Sequence, residues 1–259
     1  ASRMDHLGSA KSLLQLCSLL GREFDYALLK AVSQTENEEA LREELRTIVA
    51  AEFLSQTGTA PSSSYVFKHQ LMQETAYRSL LRSTRVALHG QVAEILQDRF
   101  PDKAERSPEV LAFHFEESEQ PEKAVLFWLQ ACRSTLAVYA LHEAIDLAQS
   151  GLRTVSVLDE GPTKNVVETA LTFLLGRGLL ATRGYADPQV EQTFARALTL
   201  CEGAGDSPQL FQVVGGLWAY FHIGGEAAKA LELAERLVRI ADAESAPEKT
   251  LQARYSYGY

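Results

Sequence analysis

The stretch FQVVGGLWAYFHIGGEAAKALELA, residues 211–234, has the spacing of two antiparallel helices. Its opening aromatic residue is followed by small Gly215 and then by large Trp218, while Ala227 and Ala234 lie further along. Small residues let two helices approach closely where they cross, and large residues fill the gap to the next pair. The stretch therefore predicts a closely packed helix pair.

The same spacing occurs twice more in the preceding part of the chain. One copy contains Trp128, Cys132, Ala144 and Gly151, and the other contains Gly178, Phe194 and Ala197. In all three copies the small residue of the first helix precedes the first anchor of the second helix by twelve positions: Cys132 and Ala144, Gly178 and Val190, Gly215 and Ala227. This regularity predicts divergent tetratricopeptide-like repeats, with extra loops at 156–165 and 203–208.

A generic helical bundle with small residues at its crossings is the alternative. Arg177 stands at a position that the repeat pattern keeps apolar, and Thr135 stands at an aromatic one. Residues 246–259 have the pattern of the first helix of a further pair. Because a solenoid without a polar cap exposes apolar surface, we expect the repeat array to be truncated at this end.

A different pattern precedes the repeats. An apolar helical stripe begins at Ser9 and ends before Gly21, and two shorter helices follow, capped by Asp25 and Asn37. The β-prone segments 53–57 and 65–68 flank a polar turn and predict a β-hairpin. Three helices followed by a hairpin is the order of a winged helix. We therefore predict a mostly α protein: a winged-helix-like domain at 1–82, a connecting helix and linker at 83–106, and an α-solenoid of tetratricopeptide-like helix pairs at 107–259.

Composition excludes several classes of protein. The chain has 259 residues, 46% of them hydrophobic and 23% charged, with a net charge of −9. An acidic chain is a poor partner for nucleic acid. No apolar run approaches the roughly 18 residues of a membrane span, and no signal peptide is visible. Cys17, Cys132 and Cys201 are too far apart in sequence for a disulfide framework or a Cys-rich metal site, which favours a reducing, cytoplasmic location. Together with the lack of an apolar span, this predicts no contact with a membrane.

Three segments carry a resemblance to a known family: residues 19–24, residues 65–77 and residues 111–115. They resemble the part that follows the ATPase core in bacterial signal-transduction ATPases with numerous domains, the STAND class. More narrowly, they are similar to multidomain proteins in which a class III adenylate/guanylate cyclase or a Ser/Thr kinase precedes an ATPase and tetratricopeptide repeats. The resemblance implies ATP or ADP bound to a neighbouring domain of the same polypeptide.

The resemblance also singles out His69 and its neighbour Lys68. In the STAND family an apolar-His-Asp motif begins a helix, and its histidine reaches the β-phosphate of the bound nucleotide. Phe67, Lys68 and His69 stand at the matching place, but Gln70 replaces the aspartate. A strand-to-helix junction also suits an anion on physical grounds. The alternative is that His69 only satisfies local backbone groups at the base of the hairpin.

The sequence contains no recognisable catalytic or metal-binding motif. It contains no G-x-x-x-x-G-K-[ST] phosphate loop, so we do not expect this chain to hydrolyse ATP unaided. His114 and Glu117 could share a helix face, but a metal ion needs more ligands, and His114 between two phenylalanines is typical of a core histidine. Trp128 and Trp218 are interpreted as core residues rather than a ligand cage.

These observations predict a non-catalytic interaction module of a larger signalling protein. Its winged helix would dock on a neighbouring ATPase domain, and its repeats would bind a protein or peptide. A transcriptional regulator with the winged helix on DNA is one alternative, although the third helix is acidic at 36–44. A plain tetratricopeptide scaffold is the other. The basic residues Arg78, Arg82 and Arg85 form either a solvated helix face or a contact with an acidic neighbour.

Overall fold

The chain divides into two compact units, 1–120 and 121–259. This division is seen in a computed structural model that describes residues 3–59, 62–185, 187–204, 209–244 and 247–258. Each unit has its own buried core, and each is described separately below.

The N-terminal unit contains seven α-helices and three short strands among its described residues. A 3₁₀ helix at Arg3–Leu7 comes first. The elements that follow are α1 (Ala10–Leu19), β1 (Glu23–Asp25), α2 (Tyr26–Ser33), α3 (Glu38–Ala50), β2 (Leu54–Thr57), β3 (Ser64–Phe67), α4 (Gln70–Arg78), α5 (Arg82–Arg99), α6 (Pro101–Arg106) and α7 (Pro108–Glu117). The predicted order of three helices and a hairpin is confirmed.

A small antiparallel sheet of order β1-β3-β2 lies in this unit. The hairpin pairs Leu54 with Phe67 and Gln56 with Tyr65. The sequence predicts only these two strands, but β1 pairs with the other edge of β3 and places Phe24 opposite Tyr65. Their rings stack at 5.8 Å between centroids. The third strand is held by this pairing, because three residues are too short to show a β pattern of their own.

Two predicted caps behave differently. The Asn37 side chain accepts a hydrogen bond from the backbone N–H of Ala40 at 3.0 Å, which caps α3 as expected. Asp25 occupies the N-cap position of α2 but makes no side-chain capping bond. Its carboxylate instead forms an ion pair with Lys103 of α6.

The end of the predicted connecting segment 83–106 is helical rather than an open linker: Pro101 is the first residue of α6 and Pro108 the first residue of α7. Proline is favoured there because the first helical N–H has no partner within the helix. Helices α5, α6 and α7 pack on one another, and α5 also packs on α1 and α2. The predicted boundaries at 82 and 106 therefore fall inside the N-terminal unit.

The C-terminal unit is a run of seven helices in the part that the structure describes. They are α8 (Pro121–Ala137), α9 (Leu141–Val155), α10 (Pro162–Arg183), α11 (Pro188–Ala204), α12 (Leu210–Ile223), α13 (Ala227–Glu244) and α14 (Pro247–Tyr257). Each helix packs on the next, and α10 also contacts α8 and α12. This nearest-neighbour packing is that of a solenoid. The predicted mostly α fold class is confirmed.

The loops and the last helix of this unit follow the prediction in part. The first predicted loop is shorter than expected, because Pro162 already begins α10. The second predicted loop lies largely outside the described residues. Helix α14 buries Ala253 against Phe211, Val214, Leu237 and Ala241, whereas Leu251 and Tyr255 are exposed. Across the described parts of both units, no helix has the length and apolar character to cross a bilayer.

Candidate functional site

The first helix pair brings its predicted packing residues together. Trp128, Cys132, Ala144 and Gly151 are all buried. The Cys132 Sγ–H donates to the Ala144 carbonyl oxygen at 3.5 Å, so the twelve-residue spacing marks a direct contact between α8 and α9. A Cβ on Gly151 would lie 3.0 Å from the Trp128 Cβ and 2.7 Å from Leu171 Cδ1. A larger residue at this crossing would force the side chains of Leu171 and Trp128 to shift.

The second pair, α10 and α11, is organised around the fully buried Phe194. Ala197 is buried one turn further along α11. Gly178 lies against the preceding pair, where a Cβ would lie 2.9 Å from Ile145 Cγ1. Gly176 lies against Phe194, with the nearest ring atom 3.0 Å from an added Cβ. Glycines on α10 therefore face both neighbouring second helices.

The third pair has a different register from the one that the sequence predicts. A Cβ on Gly215 would meet no atom within 4 Å, whereas a Cβ on Gly216 would lie 2.6 Å from Phe194 Cε1. The prediction of Gly215 as the close-packing residue is therefore wrong.

The second helix of this pair is shifted as well. Ala227 is the first residue of α13 and is exposed, so it does not pack as predicted. The buried face of α13 consists of Ala230, Ala234, Leu237 and Ala241. Trp218 is half-buried beside the core of this pair and stacks on His222 at 4.8 Å. The contact face of α13 therefore begins one turn later than the spacing suggests.

The first helices of the three pairs line an open groove. It has a volume of about 450 Å³. Leu136, Phe173 and Leu174 form apolar walls, and Arg133, Arg177 and Gln212 add polar groups. We call it the first-helix groove. Its volume lies within the range of small-ligand and peptide-side-chain pockets.

The strand-to-helix junction places His69 and Lys68 on the surface of the N-terminal unit. His69 is the N-cap residue of α4, with extended backbone and no side-chain capping bond. Its carbonyl oxygen accepts the N–H of Met72 at 3.0 Å. Lys68 forms an ion pair with Glu52 at 3.1 Å. The His69 imidazole is exposed and is left free to contact something outside this unit.

The charged helix faces of this unit are mostly paired. Arg78 lies 3.9 Å from Glu74, and Arg82 lies 2.9 Å from Glu119. The Arg85 guanidinium lies 4.9 Å from the centroid of the Tyr77 ring. On α3, Glu39 and Glu43 are exposed and Glu44 is partly exposed, and of these three only Glu43 is paired with a residue that the structure describes, Arg46, so the surface of the third helix is acidic on balance. Such a surface opposes contact with a phosphate backbone.

A chain of hydrogen-bonded polar side chains links α4, α5 and α7. Two of its members, His89 and His114, are buried, whereas Tyr77 is half-buried and Glu117 is exposed. His114 Nδ1 lies 2.8 Å from His89 Nδ1, His89 Nε2 lies 3.0 Å from the Tyr77 hydroxyl, and that hydroxyl lies 3.0 Å from Glu117 Oε2. A neutral imidazole carries one N–H, and the carboxylate can only accept. The consistent assignment is that His114 donates to His89, His89 donates to Tyr77 and Tyr77 donates to Glu117.

Burial sets the titration of this chain. It lowers the pKa of both His89 and His114, and the neighbouring His89 lowers the pKa of His114 further. Burial, followed by the hydrogen bond to Glu117, raises the pKa of Tyr77 to about 12. In the unfolded chain both histidines take up a proton below about pH 6.5, but the folded unit resists this. The stability that depends on keeping these two histidines neutral is therefore fully present above about pH 6.5 and falls as the pH decreases below that value.

His114 is thus a core histidine, as predicted, but its partner His89 was missed. His89 lies on the same helical stripe as the buried Val92, Ala93 and Leu96 of α5. That spacing of three, four and seven is the signal that could have found it. Among the described residues, no group of three or more His, Cys, Asp and Glu side chains could hold a metal ion.

The fold and these sites define a protein of stacked helix pairs that follow a helical unit with a small antiparallel sheet. No protein-family model matches the chain. It is 24% identical, over 219 residues, to an uncharacterized protein of Rhizobium meliloti (strain 1021). That match covers 84% of this chain but 21% of the relative, so the chain spans about a fifth of the length of that relative.

A solved structure also shows similarity to the chain. It is a Signal Transduction ATPase with Numerous Domains (STAND) protein with a tetratricopeptide repeat sensor, from Pyrococcus horikoshii. The TM-score is 0.44 at 10% sequence identity, with 96% of this chain and 46% of that chain covered. A likeness at this TM-score does not establish a shared fold.

Proposed function

We propose that the chain is a non-catalytic regulatory and protein-interaction module of a larger, ATP-dependent signalling protein. The repeats bind a protein or peptide in the first-helix groove. The N-terminal unit, a winged-helix-like domain, docks on a neighbouring nucleotide-binding domain. The observation that carries the proposal is the open groove formed by the first helices of three successive pairs, on a scaffold whose crossings are fixed by glycine contacts.

The nucleotide-sensing role rests on His69. Its exposed imidazole stands at the N-terminus of α4, where free backbone N–H groups and the helix dipole favour an anion. The sequence resemblance to STAND proteins suggests the β-phosphate of ADP as that anion. Lys68 is less suited to this role, because its ammonium group is engaged by Glu52. Ligand binding on the repeats would then bias the nucleotide state of the neighbouring domain, provided that it favours one of two states.

The first test is to sequence the gene upstream of the codon for Ala1. A G-x-x-x-x-G-K-[ST] motif encoded in the same reading frame supports the proposal, and the next domain upstream would identify the effector, such as a cyclase or a kinase. A start codon directly before Ala1, with no ATPase in the polypeptide, contradicts it and leaves the plain scaffold. The alternative of DNA binding is disfavoured by the acidic surface of α3.

The second test uses the complete gene product. His69→Ala should weaken ADP retention by about tenfold or more, since a hydrogen bond to a charged group contributes roughly 1.5–3 kcal/mol. His142→Ala is the matched control, because His142 is an exposed histidine of the other unit. ADP dissociation, followed with a fluorescent nucleotide, is the measurement. Equal dissociation rates in both variants and in the wild type would reject the sensing role.

A further inference from the structure

The first-helix groove carries two positive charges that the fold itself does not use. Arg133 on α8 and Arg177 on α10 are both exposed in its lining. Neither forms an ion pair or a hydrogen bond with any residue that the structure describes. Three other arginines of the same unit form ion pairs: Arg183 with Asp187, Arg196 with Glu168, and Arg236 with Glu202. In a chain with a net charge of −9, two unpaired guanidinium groups in one groove are a notable departure.

Arg177 also breaks the repeat pattern. In the first pair the position before the small Cys132 is occupied by Ala131, which is apolar and buried. In the second pair the residue before Gly178 is Arg177, whose side chain lines the groove instead of the core. An arginine there adds nothing to the packing of α10 on α9, which Gly178 already provides through Ile145. The presence of an arginine at this position is therefore better explained by contact with a ligand than by packing in the core.

The two charges act on the same part of the unit. Burial raises the pKa of the Cys132 thiol to about 12, and the positive charges of Arg133 and Arg177 oppose that rise. The same groove is lined by the apolar side chains of Leu136, Phe173 and Leu174. A groove with apolar walls and two guanidinium groups complements an extended segment that carries both carboxylates and apolar side chains. Guanidinium groups bind carboxylates through paired, charge-assisted hydrogen bonds.

We infer that the first-helix groove binds an acidic peptide segment of a protein partner, with Arg133 and Arg177 as the carboxylate-binding residues and Phe173 and Leu174 as the apolar floor. This inference rests on the proposed function, which it narrows from any peptide to an acidic one. Gln212 lies at the α12 side of the groove and can donate to the backbone of a bound segment.

The experiment is a selection from a random 12-residue peptide library on the full chain, run in parallel on the wild type and on the double variant Arg133→Gln, Arg177→Gln. The control is Arg153→Gln, which removes an exposed arginine from the second-helix α9. We expect the wild type and the control to enrich peptides rich in Asp and Glu, and the double variant to lose that enrichment. Circular dichroism confirms that all variants fold.

The most enriched peptide is then synthesised with a fluorescent label and titrated by anisotropy. The double variant should weaken its binding by about tenfold or more, and replacing its Glu and Asp residues with Gln and Asn should have a similar effect. Added salt should weaken the wild-type complex more than the variant complex.

Three results would overturn the inference. Enrichment of neutral or basic peptides leaves peptide binding intact but removes the acidic class. Acidic enrichment that persists in the double variant places the binding site elsewhere. Tighter binding of a labelled oligo-dT than of the peptide assigns the charges to a nucleic acid. Enrichment of no peptide at all contradicts the proposed function itself, so the two failures are distinguishable.

Discussion

The neighbouring glycines of α12 offer a matched pair of substitutions. Gly215→Ala and Gly216→Ala both add one methyl group inside the same helix, but their surroundings differ. The new Cβ at 215 meets no atom within 4 Å, whereas the new Cβ at 216 would lie 2.6 Å from Phe194 Cε1 and 3.0 Å from its Cδ1. The Phe194 ring has little room to move, because it is fully buried and also lies against Gly176 of α10.

The two variants should therefore change stability in different ways. Replacing a mid-helix glycine with alanine stabilises by roughly 0.5–1 kcal/mol, and this gain applies to both positions. Overpacking a closely packed core costs about 1–3 kcal/mol, and this cost applies at position 216 alone. The free energy of unfolding of Gly216→Ala should thus lie about 1–3 kcal/mol below that of Gly215→Ala, because the helix contribution cancels in the comparison.

Urea unfolding followed by far-ultraviolet circular dichroism measures this difference. A second comparison in the Phe194→Leu background tests its cause, since removing the ring should shrink the difference to well under about 1 kcal/mol. If Gly216→Ala is as stable as Gly215→Ala with Phe194 present, the register assigned to the third pair is refuted. A lower stability of Gly215→Ala than of Gly216→Ala would favour Gly215, as the spacing in the sequence predicts.

Two further predictions concern the N-terminal unit. Between about pH 7.5 and about pH 5.5 the unit should lose about 3 kcal/mol of stability through His89 and His114, about 1.4 kcal/mol from each, because only the unfolded chain takes up their protons. His114→Asn keeps a donor toward His89 and should halve this pH dependence in urea titrations, whereas the exposed-site control His142→Asn should not; an unchanged slope in His114→Asn would contradict the assignment. Asn37→Ala should destabilise by about 1 kcal/mol through loss of the α3 cap, and Asn37→Asp should retain most of that stability in thermal unfolding. Equal stability of the two Asn37 variants would show that the cap contributes nothing.

Local signals in the sequence were sufficient for most of the helices. Asn37 marks the start of α3, and the polar turn between β-prone segments marks the hairpin. The twelve-residue spacing located the crossing of α8 and α9, where Cys132 contacts Ala144. These features depend on residues close in sequence or on a fixed helical period, and both can be counted along the chain.

Features that depend on distant contacts were not predictable in this way. Strand β1 exists because β3 offers it a free edge. The register of the third pair could not be chosen from the sequence, because Gly215 and Gly216 are equally small. Phe194, which lies on another helix, decides between them. For the groove arginines the sequence shows only that Arg177 stands at an apolar position of the repeat. That it shares a groove with Arg133, on a different helix, can be seen only in the structure.

Helix α4 connects the two features that matter most in the N-terminal unit. His69 lies at its N-terminus, and Tyr77, in its last turn, hydrogen-bonds to the buried His89. A helix of nine residues moves as one body, since its hydrogen bonds span its whole length. If His69 binds a phosphate as proposed, a shift of α4 toward that phosphate must also displace the Tyr77 hydroxyl from His89 and Glu117. Because His89 is buried and would lose its hydrogen bond to the Tyr77 hydroxyl, these polar contacts resist such a shift. The hydrogen bonds of Tyr77 therefore favour one position of α4. A phosphate that binds His69 can shift the helix only if its binding free energy exceeds the free energy of those hydrogen bonds.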